Sequence, residues 1–274
     1  MNIVKMKPGK QPRAGENTRQ IAFHRMIPNL MTLTAMAAGL TSLQYALNSQ
    51  WDKAVLAILI ALVLDGMDGA TARLLKATSD FGEMLDTLSD FLAFGIAPAI
   101  ILYTWILEES GKVGWVAMIF YTSATALRLA RFNVELKKTP KWQKGFFSGI
   151  PSPAGAGLAL LPLIFWFQDP DFFKPYAYAS PMVGLWTIIV AGLMVSRIPT
   201  FSIKMIKVPA KMGMPVLAFT ALLLAALVNL TWPTLTLIGI AYMISLPFSY
   251  MYFNAQKKIH ASDSDESDLP ELPI

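Results

Sequence analysis

The chain has 274 residues, of which 54% are hydrophobic and 15% charged, with a formal net charge of +5 and no cysteine. A mean hydropathy of +0.47 exceeds what a soluble core uses, so a water-soluble globular domain is excluded and an all-α polytopic membrane protein is expected. The missing cysteine excludes disulfides and thiolate metal sites.

Residues 1–26 read as a basic N-terminal arm followed by an interfacial helix. Lys5, Lys7, Lys10 and Arg13 stand among Pro and Gly, a composition that favours disorder. From residue 14, Ile21, Phe23 and Met26 can meet lipid while Arg19 and Arg25 face headgroups; a plain solvated tail is the alternative. Charged and polar residues up to about Arg25 show no signal-peptide pattern. Residues 27–255 are expected to form one transmembrane domain of about eight helices, near 27–47, 53–74, 82–107, 113–132, 151–168, 179–197, 212–230 and 233–253. Asp80 and Glu83 form a capping-box pattern at the start of the third. Ser152 and Pro153 suit the cap and first position of the fifth, and Pro162 is placed to kink it. Residues 256–274, with Asp263, Asp265, Glu266, Asp268 and Glu271, read as an acidic disordered tail.

Charge sets the orientation, since Lys and Arg gather on the cytoplasmic side of a membrane. With eight spans, 20 of the 23 fall on one side, leaving Lys53, Lys112 and Lys174 on the other. Both termini are therefore expected in the cytoplasm, with the chain in a bacterial-type inner (plasma) membrane. Trp51, Trp105, Trp115, Trp166 and Trp232 fall near the opposite ends of their spans, as an interfacial aromatic belt requires.

At the cytoplasmic end of the second span stands Asp65-Gly66-Met67-Asp68-Gly69-Ala70-Thr71-Ala72-Arg73, and eight residues later Gly82, Asp86 and Asp90 recur at four-residue intervals. On helices, each set shares one face. Carboxylates this dense in an apolar stretch must be paired, hydrated or metal-bound. Four Asp without Cys or a nearby His suit a hard cation such as magnesium or manganese, and the neighbouring arginine points to phosphate chemistry. The competing explanation is a helix pair with capped or ion-paired Asp at the membrane surface.

The spacing D-G-x-x-D-G-x-x-A-R-x8-G-x-x-x-D-x-x-x-D resembles, without a mismatch, the signature of the CDP-alcohol phosphotransferase family. That resemblance implies two divalent ions, Mg2+ or Mn2+, with Asp65, Asp68 and Asp86 as ligands. It makes Asp90 the general base, with contact to the second ion. It also implies a CDP-diacylglycerol substrate held by Asn29, Thr32, Gly66, Gly69, Ala72, Arg73, Ser79 and Gly82. For these, helix packing (the glycines) and capping (Asn29, Thr32, Ser79) are the competing roles.

The segments Ala126–Asn133, Phe147–Ala154 and Ser196–Thr200 resemble the membrane-integral, serine-accepting branch of that family, which implies transfer of a phosphatidyl group to L-serine. Arg128, Arg131, Asn133 and Ser152 are the acceptor candidates, an arginine fork suiting the serine carboxylate; positive-inside anchoring is the alternative for both arginines. The resemblance further implies membrane lipids as surroundings and a homodimer, and no nucleic-acid partner is expected. His24 and His260 lie in flanking segments and read as solvated. Competing functions are a sibling enzyme using glycerol 3-phosphate, inositol phosphate or choline, and a cation transporter built on the same Asp cluster.

Overall fold

The computed structural model describes residues 14–75, 77–135, 146–173, 176–201 and 212–267. Helices dominate: α1 (Ala14–Leu47), α2 (Trp51–Leu74), α3 (Asp80–Trp105), α4 (Lys112–Glu135), α5 (Ser152–Ala159), α6 (Leu161–Trp166), α7 (Tyr176–Val195), α8 (Gly213–Asn229) and α9 (Thr231–Ser267). Two three-residue strands, β1 (Phe146–Ser148) and β2 (Pro199–Phe201), pair antiparallel with Phe147 opposite Thr200.

Among the described residues, five stretches are long and apolar enough to cross a membrane: Met26–Leu47, Trp51–Leu74, Asp80–Trp105, Lys112–Val134 and Thr231–Gln256. At about 1.5 Å per residue each exceeds the roughly 30 Å hydrocarbon core. Their outward faces carry Ile60, Val63, Leu127, Leu237 and Met251 in the open, and only 11% of the apolar window of α9 is buried within the fold. An apolar surface of that extent belongs in lipid.

Several boundaries differ from those expected. The expected interfacial helix is continuous with the first span in α1. The fifth span is two short helices, because Pro162 follows directly on the break at Leu160 and has no N–H to continue the ladder. Helix α9 runs on to Ser267, into the segment expected to be a disordered tail. No Gly or Pro interrupts the chain between Phe248 and Leu269, so nothing in the backbone stops the helix sooner. The basic arm up to Arg13, the loop lysines 76, 137, 138, 141, 144, 174, 204, 207 and 211, and residues 268–274 lie outside the described residues.

The tryptophans expected as a belt mostly face inward. Trp51 stacks edge-on against Trp166 at 6.0 Å, Trp166 meets Trp105 at 6.0 Å, and Phe167 lies 4.4 Å from Trp232. Trp115, half exposed, packs on Tyr103 at 5.5 Å. The chain of rings gathers the start of α2, the ends of α3 and α6 and the start of α9 at one level. Large rings packed edge to face or tilted against one another bury more area there than they would at the lipid surface.

Nearer mid-span, α3 is wedged between α1 and α4 through small residues. A Cβ at Gly39 would come within 2.8 Å of Leu92 and 3.1 Å of the Ala93 backbone, and one at Gly95 within 3.1 Å of Thr125. Between them α3 makes a π-helical turn at Phe91–Ile96, where the Tyr121 hydroxyl donates to the Phe94 carbonyl at 2.9 Å. Strand β1 ends in Gly149 at φ +77, a left-handed conformation that also brings its Cα against the Met194 and Ser196 carbonyls. This turn aims the start of α5 into the bundle.

Gly39→Val should therefore loosen the α1–α3 contact at a cost of about 1–3 kcal/mol. Gly192→Ala, on α7 with open space around it, should be neutral or slightly stabilising. Thermal unfolding of both variants in detergent checks the pair.

Candidate functional site

Asp65 and Asp68 lie in the last three turns of α2, and Asp86 and Asp90 on α3. The link between the helices is short: α2 ends at Leu74, and Ser79 adopts φ −148, ψ 152 and caps α3 by accepting the Gly82 N–H at 3.1 Å. The cap is thus Ser79 rather than the expected Asp80 of a capping box, since Ser79 has the extended backbone and Asp80 is already helical. The tight link turns both acidic faces toward each other.

One carboxylate oxygen from each of Asp65, Asp68 and Asp86 lies within 4.8 Å of the others. Asp65 also reaches the carboxylates of Asp86 and Asp90 within hydrogen-bonding distance. Asp90 sits deeper, and its Oδ1 is buried without a partner. At this separation each like-charged pair repels by about 3 kcal/mol at an effective dielectric near 20. Three hard oxygen donors so close, with a fourth carboxylate behind them, fit a divalent cation such as Mg2+ or Mn2+ and suit a thiol- or imidazole-seeking ion poorly.

Beside the carboxylates opens a cavity of about 360 Å³ between α1, α2 and α3. Its lining includes Asn29, Thr32, Gly69, Ala72, Arg73, Ser79 and Gly82, seven of the eight residues expected to meet the nucleotide lipid. The eighth, Gly66, is exposed outside the cavity lining, with open space where a Cβ would be. Gly82 has a packing reason as well: a Cβ there would come within 3.0 Å of Asn29 Oδ1 and 3.2 Å of Ser79 Oγ. Thr32 has a role that sequence reasoning missed. Its hydroxyl donates to Asp68 Oδ2 at 2.5 Å, while Ser89 on α3 donates to the Thr32 carbonyl at 3.2 Å. One residue of α1 thus orients an aspartate of α2 and latches α3.

The acceptor candidates divide. Arg128, only 7% exposed, donates from Nη1 to Ser152 Oγ at 2.9 Å and lies over the Phe132 ring. It also interacts electrostatically with Asp90. Ser152 is fully buried and makes no helix cap; its hydroxyl is taken by the arginine and its backbone is already in the first turn, after Pro151. Asn133 donates from Nδ2 to Thr87 Oγ1 at 3.0 Å, one residue from Asp86. Arg131 is brought elsewhere, donating to the Val195 carbonyl at 2.6 Å at the end of α7, a C-terminal carbonyl contact that stabilises the helix end. The paired strands explain how the three acceptor segments meet: the Gly149 N–H donates to the Ile198 carbonyl at 2.9 Å, and the Thr200 hydroxyl donates to the Gly149 carbonyl at 2.9 Å. The π-turn that follows Asp90 has no signature in the sequence.

Comparison with known proteins follows this geometry. The family model for CDP-alcohol phosphatidyltransferases matches residues 25–196. The CDP-diacylglycerol–serine O-phosphatidyltransferase of Mycobacterium leprae is 36% identical over 241 residues, covering 85% of this chain and 77% of its own. The protein of the same name from Helicobacter pylori is 32% identical over 197 residues, covering 72% and 81%. That from Bacillus subtilis is 33% identical over 172 residues, covering 63% and 88%.

If the hydroxyl of Thr32 orients Asp68 for a cation, Thr32→Val should weaken Mn2+ binding by roughly 10–100-fold, the usual effect of removing a partner behind a ligand. Asp86→Asn should weaken it at least as much. Titration of the purified protein with Mn2+, read by electron paramagnetic resonance, measures both.

Proposed function

The chain belongs to the CDP-alcohol phosphatidyltransferase family, and we propose that it moves the phosphatidyl group of CDP-diacylglycerol onto the hydroxyl of L-serine, giving phosphatidylserine and CMP. The observation that carries this reading is the convergence of Asp65, Asp68 and Asp86 beside a cavity lined by Arg73 and small residues. The names of the relatives support serine as the acceptor.

In this reading Asp65, Asp68 and Asp86 hold two Mg2+ or Mn2+ ions, with Asp90 completing the set. When bound, the ions neutralise the diphosphate and stabilise the departing CMP. Arg73 forks onto phosphate oxygens at the cavity mouth. Gly69 and Ala72 keep the wall of α2 low, so the nucleotide approaches the backbone; Asn29, Ser79 and Gly82 line the opposite side. Arg128 and Ser152 receive the serine carboxylate, with Asn133 supporting the α3 face. Asp90 takes the proton of the serine hydroxyl while that oxygen forms its bond to the attacked phosphorus. The bond from this phosphorus to the oxygen bridging to CMP breaks, and CMP leaves with the electron pair.

The proposed topology has eight crossings: five long helices, the broken α5–α6 pair, and the shorter apolar Ala179–Val195 and Gly213–Asn229. The clustered tryptophans support it, because they bring to one level four helix ends that an even number of crossings puts on the side away from the Asp residues. The basic excess on the Asp side supports a site facing the cytoplasm from the inner membrane. A homodimer completes the reading.

The decisive assay offers serine, glycerol 3-phosphate, inositol phosphate and choline in parallel, with CDP-diacylglycerol and Mg2+ or Mn2+, and follows CMP release. Release that depends on serine, with phosphatidylserine as product, is expected. Release with another alcohol keeps the metal site and discards serine. Absence of release with every alcohol and either metal, from folded protein, discards the enzyme and favours a cation pathway. Within the same assay, Asp90→Asn should lower turnover by roughly 100-fold or more while binding of CDP-diacylglycerol persists. Turnover like that of the wild type would remove Asp90 from the proton transfer.

A further inference from the structure

Helix α9 lies beyond the residues that the family model matches, and its sequence carries none of the signature. It nevertheless packs against β2 and α6 and turns two buried hydroxyls inward. The Tyr242 hydroxyl and, two helical turns on along the same face, the Ser249 hydroxyl are both buried without a hydrogen-bond partner among the described residues. Ser249 is fully buried. Buried hydroxyls left unpaired cost about 1–3 kcal/mol each, so a helix that retains them has a reason to do so.

The surroundings of Tyr242 supply the reason. It interacts electrostatically with Arg128, whose guanidinium also feels the Asp90 charge. The Thr200 hydroxyl adjoins it; its proton goes to the Gly149 carbonyl, so toward Tyr242 it offers only an oxygen lone pair, outside the geometry of a hydrogen bond. Arg128 in turn donates to Ser152. Arg128 and Ser152 thus form a buried hydrogen-bonded pair between α4 and α5, and the Tyr242 side chain of α9 lies within electrostatic reach of that pair. Depth agrees with this placement. Tyr242 is 11 residues along α9 from Thr231, and Asp90 is 10 residues along α3 from Asp80. At about 1.5 Å per residue, counted from opposite ends of oppositely running helices, both stand near mid-span.

We propose that the Tyr242 hydroxyl is a direct donor to the carboxylate of the acceptor, acting with Arg128 and Ser152, so that α9 helps to select an amino-acid alcohol. The inference rests on the serine reading given above and names a residue that this reading lacks. A guanidinium and a phenol converging on two carboxylate oxygens would satisfy the orphaned hydroxyl and offset the burial of Arg128. An acceptor without a carboxylate leaves both donors unpaired, and that difference is a large discriminator between otherwise similar alcohols.

The test is Tyr242→Phe, which removes one oxygen and keeps the ring. In the holoenzyme with Mn2+, KM for L-serine should rise roughly tenfold or more, with kcat and KM for CDP-diacylglycerol close to those of the wild type. The preference for L-serine over serinol, which has no carboxylate, should fall by the same factor. An unchanged KM for serine overturns the proposal. So does an equal loss with serinol, or a raised KM for CDP-diacylglycerol, since either marks a packing role. Failure of the serine reading itself is separate, because the wild type would then release CMP with another alcohol and not with serine.

Discussion

Four carboxylates that repel one another are held in contact, and the rest of the structure answers to that constraint. Nothing in the apolar parts of α2 and α3 favours bringing Asp65 against Asp86 and Asp90. The helices are instead clamped from outside. Thr32 reaches from α1 to Asp68, Ser89 reaches back from α3 to α1, and Asn133 ties α4 to α3 beside Asp86. Each bond is worth only about 1 kcal/mol net, so the close packing at Gly39 and Gly95 must carry the larger share. Within lipid that packing acts through dispersion and interhelical fit, because burial of apolar surface gains little there. These contacts hold the carboxylates on facing sides of α2 and α3.

The Asp face and the membrane class were legible in the sequence because their physics is local, whereas the cavity residues were expected from the family resemblance. Charged side chains in an apolar run, spaced at three and four residues, have one arrangement on a helix. The expected cation site on Asp65, Asp68 and Asp86 needed no tertiary information beyond a short turn between two helices. Gly66 was misplaced for the same reason: a repeat of Asp-Gly pairs looks symmetrical on paper, but only the second glycine faces inward when α3 folds back.

What could not be read was contact between segments far apart in sequence. Arg128 and Arg131 are three residues apart and alike in type, yet one enters the buried centre and the other binds the end of α7. Their separation depends on where β1 and β2 hold the chain. Capping by Ser79 instead of Asp80 turned on a single backbone conformation, and the π-turn after Asp90 has no compositional mark. The tryptophans obeyed a rule about helix ends but not about lipid exposure, because Trp51, Trp105 and Trp166 gain more by meeting one another than by facing headgroups.

The site divides into two halves that meet at Asp90. Helices α1 to α3 supply the carboxylates, the cavity and Arg73; α4, α5 and α9 supply Arg128, Ser152 and Tyr242. In the proposed reaction the first half would deal with the diphosphate, whose chemistry is the same whichever alcohol attacks, and the second half would meet the alcohol. A division of this kind would let a family keep one Asp signature across several acceptors, because residues that choose the acceptor would not touch the ions. It also explains why the signature alone cannot name the acceptor. Asp90 is the one group that both halves must position, held against Asp65 on one side and acted on by Arg128 on the other. Its Oδ1 is buried without a hydrogen-bond partner among the described residues.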